Sequence, residues 1–569
     1  MSGVSLSSYD VVIAGGGLAG LTLARQLRLR CPQFSVAVVD RLERPLPEAG
    51  FKVGESTVEI GAHYLAGLLQ LENYLEKKHF FKFGLRYFFG SAKHEFAARP
   101  EWGTDTSMPV PSFQLDRGVL ENDLRTMVVE DGAALYEGYQ LKDVAFGEGE
   151  EDHRVTIRRK GISKEKGLRC RWFIDAMGRR RFLQTRFNLK KASPHKASSA
   201  WFRMDGRIDV ETLVDRRDEA WHGRVPAGHR YFSTNHLMGT GYWVWLIPLG
   251  SGHTSIGIVT DEHIHPYRSY NSFAKAMTWL AEFEPSLHAY LKGREPLDFK
   301  GIKNFSHLSK QVFSDHRWAC TGEAGVFLDP FYSPGTDTIA INNLIVQELI
   351  EADAADNLTT AKVTAYNRFF LGFIKTFLQT YTGRYPVFGN GKVCAEKILW
   401  DTCLYWVWAG QLFFRGFLGK PHLFPKLLEI GIRFSLLHRT MQDFFQEWAE
   451  LAPDEGQVPF LSPLRIPIFE DLHLDLVQEK DEQKALEDMW RNLERFEEWA
   501  QYIFFQALQD TGSAIDGQPW IDAWSITLDR EKWEACGLFR PTSKNRGLDR
   551  IAGALKYPAP LEPVSVPLH

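Results

Sequence analysis

Residues 9–20 read YDVVIAGGGLAG, an apolar run followed directly by a glycine-rich turn. The apolar run predicts a buried strand over 9–14, and apolar residues at helical spacing predict a helix over 18–30. A second apolar strand is predicted over 35–39, and it ends at Asp40. This order of strand, turn, helix and strand is the opening unit of a doubly wound α/β sheet.

The glycine-rich turn has the spacing GxGxxG, which suits a dinucleotide. Small residues let the backbone approach a pyrophosphate at the positive end of a helix dipole. A carboxylate about 20 residues beyond the last glycine can accept hydrogen bonds from ribose hydroxyls. We therefore expect the nucleotide to contact Gly15, Gly17, Leu18, Ala19, Gly20, Asp40 and Arg41.

Three further fragments resemble motifs of the aromatic-hydroxylase-like flavoproteins. Residues 115–120 (LDRGVL) resemble the helix start whose arginine lies against the flavin or its phosphates. Residues 174–178 (IDAMG) resemble the D-A-x-G turn, and residues 321–325 (TGEAG) resemble the G-D-A motif with glutamate in place of aspartate. Four fragments in this order indicate FAD rather than NAD. The additional cofactor contacts expected are Ser56, Arg117, Asp175, Gly178 and Glu323.

Two motifs separate this chain from ordinary hydroxylases. Residues 243–248 read WVWLIP, which matches the W-x-W-x-I-P pattern of flavin-dependent halogenases. Residues 327–335 read FLDPFYSPG, which matches their F-x-x-P-x-x-S-x-G loop. The chain therefore resembles the tryptophan-halogenase-like family of FAD enzymes over roughly residues 9–385. Without that context, Trp243 and Trp245 would be interpreted as same-face core residues of a strand.

In that family a lysine follows a segment like GEST, which spans residues 54–57 of this chain. The resemblance assigns the role of catalytic lysine to Lys82, within FKFGLR at residues 81–86. A single lysine is usually a solvated surface residue, but aromatic residues flank Lys82 on both sides. Desolvation would lower its pKa and favour a neutral amine. Lys52 is a lower-ranked alternative.

The resemblance implies an FADH2-dependent halogenase in which reduced FAD, oxygen and chloride or bromide produce hypohalous acid. Lys82 would orient that oxidant or hold it as a haloamine, and an electron-rich aromatic ring would be halogenated. The family's halide and flavin loop maps to Pro330, Ser333, Pro334 and Gly335. Its substrate tunnel maps to Trp243, Trp245 and Tyr332.

Two residues depart from the family pattern. Tyr332 stands where tryptophan halogenases carry a glutamate, so a phenol or pyrrole is a more suitable substrate than tryptophan. Pro334 stands where the family's halide site has a threonine, and proline offers neither a hydroxyl nor an N–H. The amide of Gly335 could still bind an anion.

No second GxGxxG unit for a nicotinamide nucleotide is visible, so a separate flavin reductase is the expected partner. The aromatic substrate could be free or bound to a carrier protein. An FAD-dependent monooxygenase or reductase on the same scaffold is the main alternative function. A catalytically silent flavoprotein that binds a partner through its C-terminal part is a further one.

Composition excludes several other classes. The 67 basic and 71 acidic residues give a net charge of −4, and no basic block predicts nucleic-acid binding. Six scattered cysteines form no CxxC pair, so neither a metal site nor a redox dithiol is expected. The start lacks a secretory signal, and charged residues interrupt the apolar stretch 398–419, which predicts a buried helix. We therefore expect a cytoplasmic protein without a transmembrane segment.

The resulting fold class is α/β, in the architecture of the aromatic-hydroxylase-like flavoproteins. Strand patterns such as 153–160 and 168–176 predict a mostly antiparallel substrate-domain sheet inserted into the nucleotide domain. The expected organisation has four parts: a Rossmann-type FAD-binding part at 1–150, a mostly β substrate-domain part at 151–315, a return to the FAD domain at 316–385 and a helical C-terminal region at 386–569.

Overall fold

The structure is a computed structural model, which describes residues 6–47, 53–90, 95–452, 460–513, 515 and 520–540. Lys52 lies outside the described residues. The strands are β1 Ser7–Ala14, β2 Val36–Asp40, β3 Phe80–Phe81, β4 Leu85–Phe88, β5 Glu101–Trp102, β6 Phe113–Gln114, β7 Ala134–Glu137, β8 Tyr139–Ala145, β9 His153–Arg159, β10 Glu165–Asp175, β11 Lys190–Ala192, β12 Ala197–Asp205, β13 Thr234–Gly239, β14 Tyr242–Pro248, β15 His253–Asp261, β16 Pro296–Ile302, β17 His307–Ser309, β18 Phe313–Ser314, β19 Trp318–Cys320 and β20 Phe460–Leu461.

The helices are α1 Leu18–Arg30, α2 Glu59–His63, α3 Glu72–Lys78, α4 Arg117–Glu130, α5 Phe182–Arg186, α6 Glu219–His222, α7 Phe273–Phe283, α8 Pro285–Leu291, α9 Gly335–Ala354, α10 Thr360–Leu378, α11 Gly391–Tyr405, α12 Gln411–Phe414, α13 Phe424–Leu451, α14 Pro467–Asp475, α15 Glu482–Asp510 and α16 Trp533–Cys536. The predicted helix after the glycine-rich turn has the bounds expected from its apolar spacing.

The nucleotide-binding sheet has the strand order β18-β19-β10-β1-β2-β7, with β9 beside β10 and β8 beside β9. Strands β19, β10, β1, β2 and β7 run parallel, and α1 packs against α4 and α9. The sharp turn after β1 requires glycine, because a Cβ on Gly15 would lie 2.2 Å from the carbonyl oxygen of Ala176. The predicted Rossmann-like opening unit is therefore confirmed.

The placement of two strands in the inserted sheet was wrong. Strand β10 pairs in parallel with β1, with Ala14 opposite Asp175, and β9 pairs with β10. Both strands therefore belong to the nucleotide-binding sheet. Trp172, Phe173 and Ile174 are almost fully buried, as expected for a central parallel strand covered on both faces. Periodicity indicates a strand but does not identify its neighbours.

The second large sheet has the order β16-β12-β15-β14-β13-β4-β5-β20. It is mostly antiparallel, as predicted, with parallel pairing only between β13 and β4 and between β5 and β20 among these strands. Strands β4 and β5 come from the part of the chain assigned to the nucleotide domain. They bring the segment around Lys82 beside the second sheet.

Beyond residue 385 the described chain is mostly helical, as predicted. Its interior is aromatic, with Trp400, Trp406, Trp448 and Trp499 buried. The stretch 398–419 forms the end of α11, a π-helical turn, α12 and a short 3-10 turn, and it is largely buried. Across the described residues, none of the helices combines the length and apolar character that crossing a membrane requires.

Candidate active site

A cleft of about 920 Å³ lies at the carboxyl ends of β1 and β2, the usual position of a ligand in an open α/β sheet. It brings together fragments that are far apart in sequence. The predicted cofactor residues that line it are Gly15, Gly17, Leu18, Ala19, Asp40, Arg41, Ser56, Arg117, Gly178 and Glu323. Glu323 pairs at 3.1 Å with Arg179, so the G-E-A and D-A-x-G fragments meet.

The cleft has room for a dinucleotide where the glycine-rich turn requires it. A Cβ on Gly17 or on Gly178 would meet no atom within 4 Å. Gly17 is the N-cap of the 13-residue helix α1, whose positive end therefore faces the cleft. These residues fit FAD, with the pyrophosphate beside Gly17.

The carboxylate predicted to bind ribose is held in place from the protein side. Asp40 Oδ2 accepts a hydrogen bond from the amide of Gly16 at 3.1 Å and forms an ion pair with the buried Arg125. Arg125 also donates to the carbonyl oxygen of Gly16 at 2.8 Å. Arg125 was not predicted as a site residue, although its position two turns after Arg117 places both on one face of α4.

Arg117 opens helix α4 as predicted. Asp116 caps the helix by accepting hydrogen bonds from Gly118 and Val119. The Arg117 guanidinium donates to the carbonyl oxygen of Val53 at 2.9 Å and to Glu121 at 2.5 Å. Burial lowers the pKa of Arg117 to about 10, so it stays protonated at neutral pH.

Two predicted cofactor residues do not line the cleft. A Cβ on Gly20 would lie 2.0 Å from the carbonyl oxygen of Gly15, so Gly20 permits the tight turn. Asp175 is fully buried, and it accepts hydrogen bonds from the amides of Met177 at 3.1 Å and Leu183 at 2.9 Å. Burial raises its pKa to about 6. Both residues shape the backbone around the cleft.

The structure divides the residues expected to form the substrate tunnel. Tyr332 lines the cavity beside Lys82, whereas Trp243 and Trp245 line the nucleotide cleft. The two rings share one face of β14, because residues two apart in a strand do so. Trp243 Nε1 donates to the hydroxyl of Tyr385 at 3.1 Å. The WVWLIP strand is therefore a wall of the cleft.

Lys82 borders a second, smaller cavity of about 80 Å³. It directly follows β3 and is only 3% exposed, and its Nζ donates to the carbonyl oxygen of Thr57 at 2.6 Å. Burial lowers the pKa of Lys82 to about 7, although Glu59 and Asp337 act in the opposite direction. The amine is therefore far more readily deprotonated than a surface lysine.

The loop after β19 contributes to the walls of both the nucleotide cleft and the Lys82 cavity. Pro330, Ser333, Pro334 and Gly335 line the cleft, and Pro334 also lines the Lys82 cavity. Ser333 has a left-handed backbone with φ of 58°, a conformation that non-glycine residues adopt at an energetic cost. Helix α9 starts at Gly335, so its first amides are free of α-helical partners.

A polar chain anchors this loop to the second sheet. The Tyr385 hydroxyl that receives the Trp243 N–H donates to Asp329 at 2.6 Å. His195 Nε2 lies 2.6 Å from the same carboxylate, and Asp329 also accepts from the amide of Phe331 at 2.9 Å. The contacts among His195, Asp329 and Tyr385 could not be predicted from the sequence, because no local pattern joins residues so far apart.

The C-terminal region supplies a carboxylate to the Lys82 cavity. The Tyr332 hydroxyl donates to Asp401 Oδ2 at 2.8 Å, and Gln442 donates to Asp401 Oδ1 at 2.8 Å. Lys397, one turn earlier on α11, forms a buried ion pair with Asp401. The tyrosine that replaces the family's glutamate is therefore hydrogen-bonded to a carboxylate. No motif of the sequence indicated this carboxylate.

Replacing Asp401 by asparagine should lower the free energy of unfolding by about 3 kcal/mol, because the buried Lys397 ammonium loses its counter-charge. Urea denaturation monitored by circular dichroism would measure the change. The double variant Lys397→Met with Asp401→Leu should recover most of the lost stability, since neither charge of this pair is then left buried without its partner. An unfolding midpoint of Asp401→Asn equal to that of the wild type would contradict this prediction.

Comparison with known proteins agrees with this geometry. The tryptophan halogenase family model matches residues 91–382, just over half of the chain, and an NAD(P)-binding Rossmann-like domain matches residues 13–82. A flavin-dependent halogenase of Dictyostelium discoideum is 28% identical over 449 residues, which cover 74% of this chain and 72% of that protein. A 1H-pyrrole-2-carbonyl-[peptidyl-carrier protein] chlorinase of Pseudomonas fluorescens is 27% identical over 403 residues, covering 66% and 83%.

Solved structures share the fold. The crystal structure of halogenase PltM superimposes with a TM-score of 0.62 at 15% sequence identity, covering 85% of this chain and 96% of that one. A structure of the flavin-dependent brominase Bmp2 superimposes with a TM-score of 0.54 at 19% identity, covering 74% and 98%. The agreement reaches beyond the family match into the C-terminal helices.

Proposed function

Because the chain belongs to the tryptophan halogenase family of FAD enzymes, we propose that it installs chloride or bromide on a small electron-rich aromatic ring, a phenol or pyrrole rather than tryptophan. One observation supports this proposal most strongly. The buried Lys82 borders a cavity that shares the wall residue Pro334 with the nucleotide cleft. This arrangement suits an oxidant that is made in the cleft and used in the cavity.

The cleft residues would hold FAD in defined roles. Gly17 and the N-terminus of α1 would receive the pyrophosphate, Asp40 the ribose, and Arg117 the flavin or its phosphates. Reduced FAD, when bound, supplies the electrons with which oxygen and halide become hypohalous acid. A separate flavin reductase would supply the reduced cofactor.

We assign halide binding to the start of α9. The Gly335 amide and the positive end of a 20-residue helix favour an anion there. Pro334 supplies no N–H, so fewer donors face the halide than in the family's Thr-Gly pair. Ser333, which has a left-handed backbone, lines the cleft beside this helix start.

Lys82 would receive hypohalous acid and present its halogen to the substrate. Its ammonium can donate a hydrogen bond to the oxidant, and its neutral amine can carry the halogen covalently. Because burial lowers the pKa of Lys82 to about 7, both forms are present near neutral pH. Apolar side chains such as Trp102, Met108 and Phe469 line much of the cavity, which would also limit competing reactions of the oxidant.

The substrate preference follows from the cavity wall. Tyr332 and Asp401 replace the family's glutamate with a neutral hydroxyl backed by a carboxylate, which suits a ring with its own activating group. The cavity is smaller than the roughly 150 Å³ that holds benzene, so we expect its walls to widen for one small ring. The pyrrole chlorinase relative acts on a carrier-bound ring, and such a substrate is compatible with this proposal.

The decisive experiment combines the purified protein with FAD, a flavin reductase, NADH and a panel of phenols and pyrroles, free or carrier-bound. Mass spectrometry would compare chloride, bromide and a halide-free control. A halide-dependent mass shift with the matching isotope pattern is the expected result. Gain of one oxygen regardless of halide would instead identify a monooxygenase on the same scaffold.

A further inference from the structure

Three carboxylates line the Lys82 cavity: Glu59, Asp337 and Asp401. Two of them already face a basic group, because Glu59 Oε1 lies 3.0 Å from His473 Nε2 and Asp401 pairs with Lys397. Asp337, by contrast, forms no ion pair with a basic side chain among the described residues. The Asp337 carboxyl lines the same cavity as Lys82.

Close packing against the backbone of Gly61 fixes the position of Asp337. Asp337 is the third residue of α9, two residues after Gly335, and its Oδ1 accepts a hydrogen bond from the amide of Gly61 at 2.7 Å. A Cβ on Gly61 would lie 2.9 Å from this oxygen and 2.8 Å from the Cβ of Thr336. A glycine at 61 is therefore what lets this carboxylate sit beside the cavity.

The electrostatics of the pair favour proton exchange. Burial raises the pKa of Asp337 to about 7, with Glu59 adding to the effect, whereas the hydroxyl of Tyr405, the Gly61 amide and Lys82 lower it. Burial lowers the pKa of Lys82 to about 7. Two groups of similar proton affinity that line one cavity can exchange a proton at little cost, which is the condition for general acid–base catalysis near neutral pH.

We propose that Asp337 is a catalytic residue of this cavity, whose carboxylate accepts the proton that the aromatic ring loses on halogenation and returns it to the nitrogen of Lys82. This inference rests on the proposed function, which supplies hypohalous acid as the oxidant. Asp337 would be a second reacting group beside Lys82, and it lies outside the family motifs of the sequence.

The proposed step balances as follows. A π electron pair of the ring forms the carbon–halogen bond while the oxygen–halogen bond breaks, and the departing hydroxide takes a proton from the Lys82 ammonium to become water. The ring C–H bond then breaks, its electron pair restores aromaticity, and its proton moves to Asp337. Asp337 protonates Lys82, so hypohalous acid and the arene become the halogenated arene and water. If Lys82 instead carries the halogen, the same proton is returned to its nitrogen.

The variant Asp337→Asn tests this role. Asparagine keeps an oxygen that can accept the Gly61 N–H, but it has no negative charge and cannot take a proton. The substrate is a ring that the wild type halogenates, supplied with hydrogen or deuterium at the reacting carbon. We expect kcat to fall about 10²- to 10³-fold with little change in KM. We also expect a primary deuterium isotope effect that the wild type lacks, because ring deprotonation becomes rate-limiting.

Glu59→Gln is the matched control, since it removes another carboxylate of the same cavity and should introduce no isotope effect. FAD content and thermal unfolding establish that each variant is folded, and Asp337→Ser provides a second test if asparagine is not tolerated. A wild-type kcat in Asp337→Asn, or a slow variant without an isotope effect, overturns the inference. A wild type that halogenates nothing contradicts the proposed function instead.

Discussion

Replacing Lys82 by alanine should lower product halogenation by about 10³-fold while FAD binding and oxygen consumption continue. The side chain borders the small cavity, whereas the cofactor residues line the separate cleft. The oxidant would therefore still form but would not be delivered to the ring. Halogenated product measured by mass spectrometry, together with FAD absorbance and oxygen uptake, would separate these steps.

Lys78→Ala is a suitable control, because Lys78 is an exposed lysine four residues earlier in the chain. It should halogenate at the wild-type rate. Surviving halogenation in Lys82→Ala would show that the lysine assignment is wrong while leaving the family assignment intact. Loss of bound FAD in Lys82→Ala would instead show that changes in the Lys82 cavity also affect the nucleotide cleft.

Replacing Gly17 by valine should weaken FAD binding about 100-fold, or by about 3 kcal/mol. The new side chain would meet no protein atom within 4 Å of its Cβ, so it would occupy the space we assign to the pyrophosphate. The backbone of Gly17 is extended, with φ of −90°, and its N-cap position makes no side-chain hydrogen bond to lose. We therefore expect the melting temperature of the cofactor-free protein to change little.

Fluorescence titration with FAD would measure the affinity. Gly372→Val is the matched comparison, because a Cβ on Gly372 also meets no atom within 4 Å but lies on the exposed side of α10. It should bind FAD normally. Wild-type FAD affinity in Gly17→Val would rule out this position for the pyrophosphate.

The nucleotide half of the fold could be predicted from sequence because its determinants are local. A glycine-rich turn between an apolar strand and an apolar helix has few alternatives, and α1 begins at the predicted residue. The neighbours of β10 could not be predicted in the same way. Its alternation fits a strand of either sheet, and only long-range pairing with β1 decides between them.

The same distinction applies to the site. Asp40, Arg117 and Glu323 belong to short motifs, and the structure places them along one cleft, although their contacts with FAD stay predictions. Asp337 escaped notice because it lies beyond the last conserved letter of the loop pattern. Asp401 was expected only as a charge that interrupts the apolar stretch 398–419, because its partner Tyr332 is 69 residues away in the chain. Such pairings depend on tertiary packing rather than on spacing.

Part of the wall of the Lys82 cavity, including Asp401 and Tyr405 of α11 and Phe469 of α14, comes from the chain beyond residue 382, where the family match ends. Under the proposed function, changes in this part of the chain can alter which ring the cavity accepts, while the residues of the nucleotide cleft stay the same. Protein engineers have the same freedom: grafting or randomising these two helices should diversify substrate choice more than changes elsewhere.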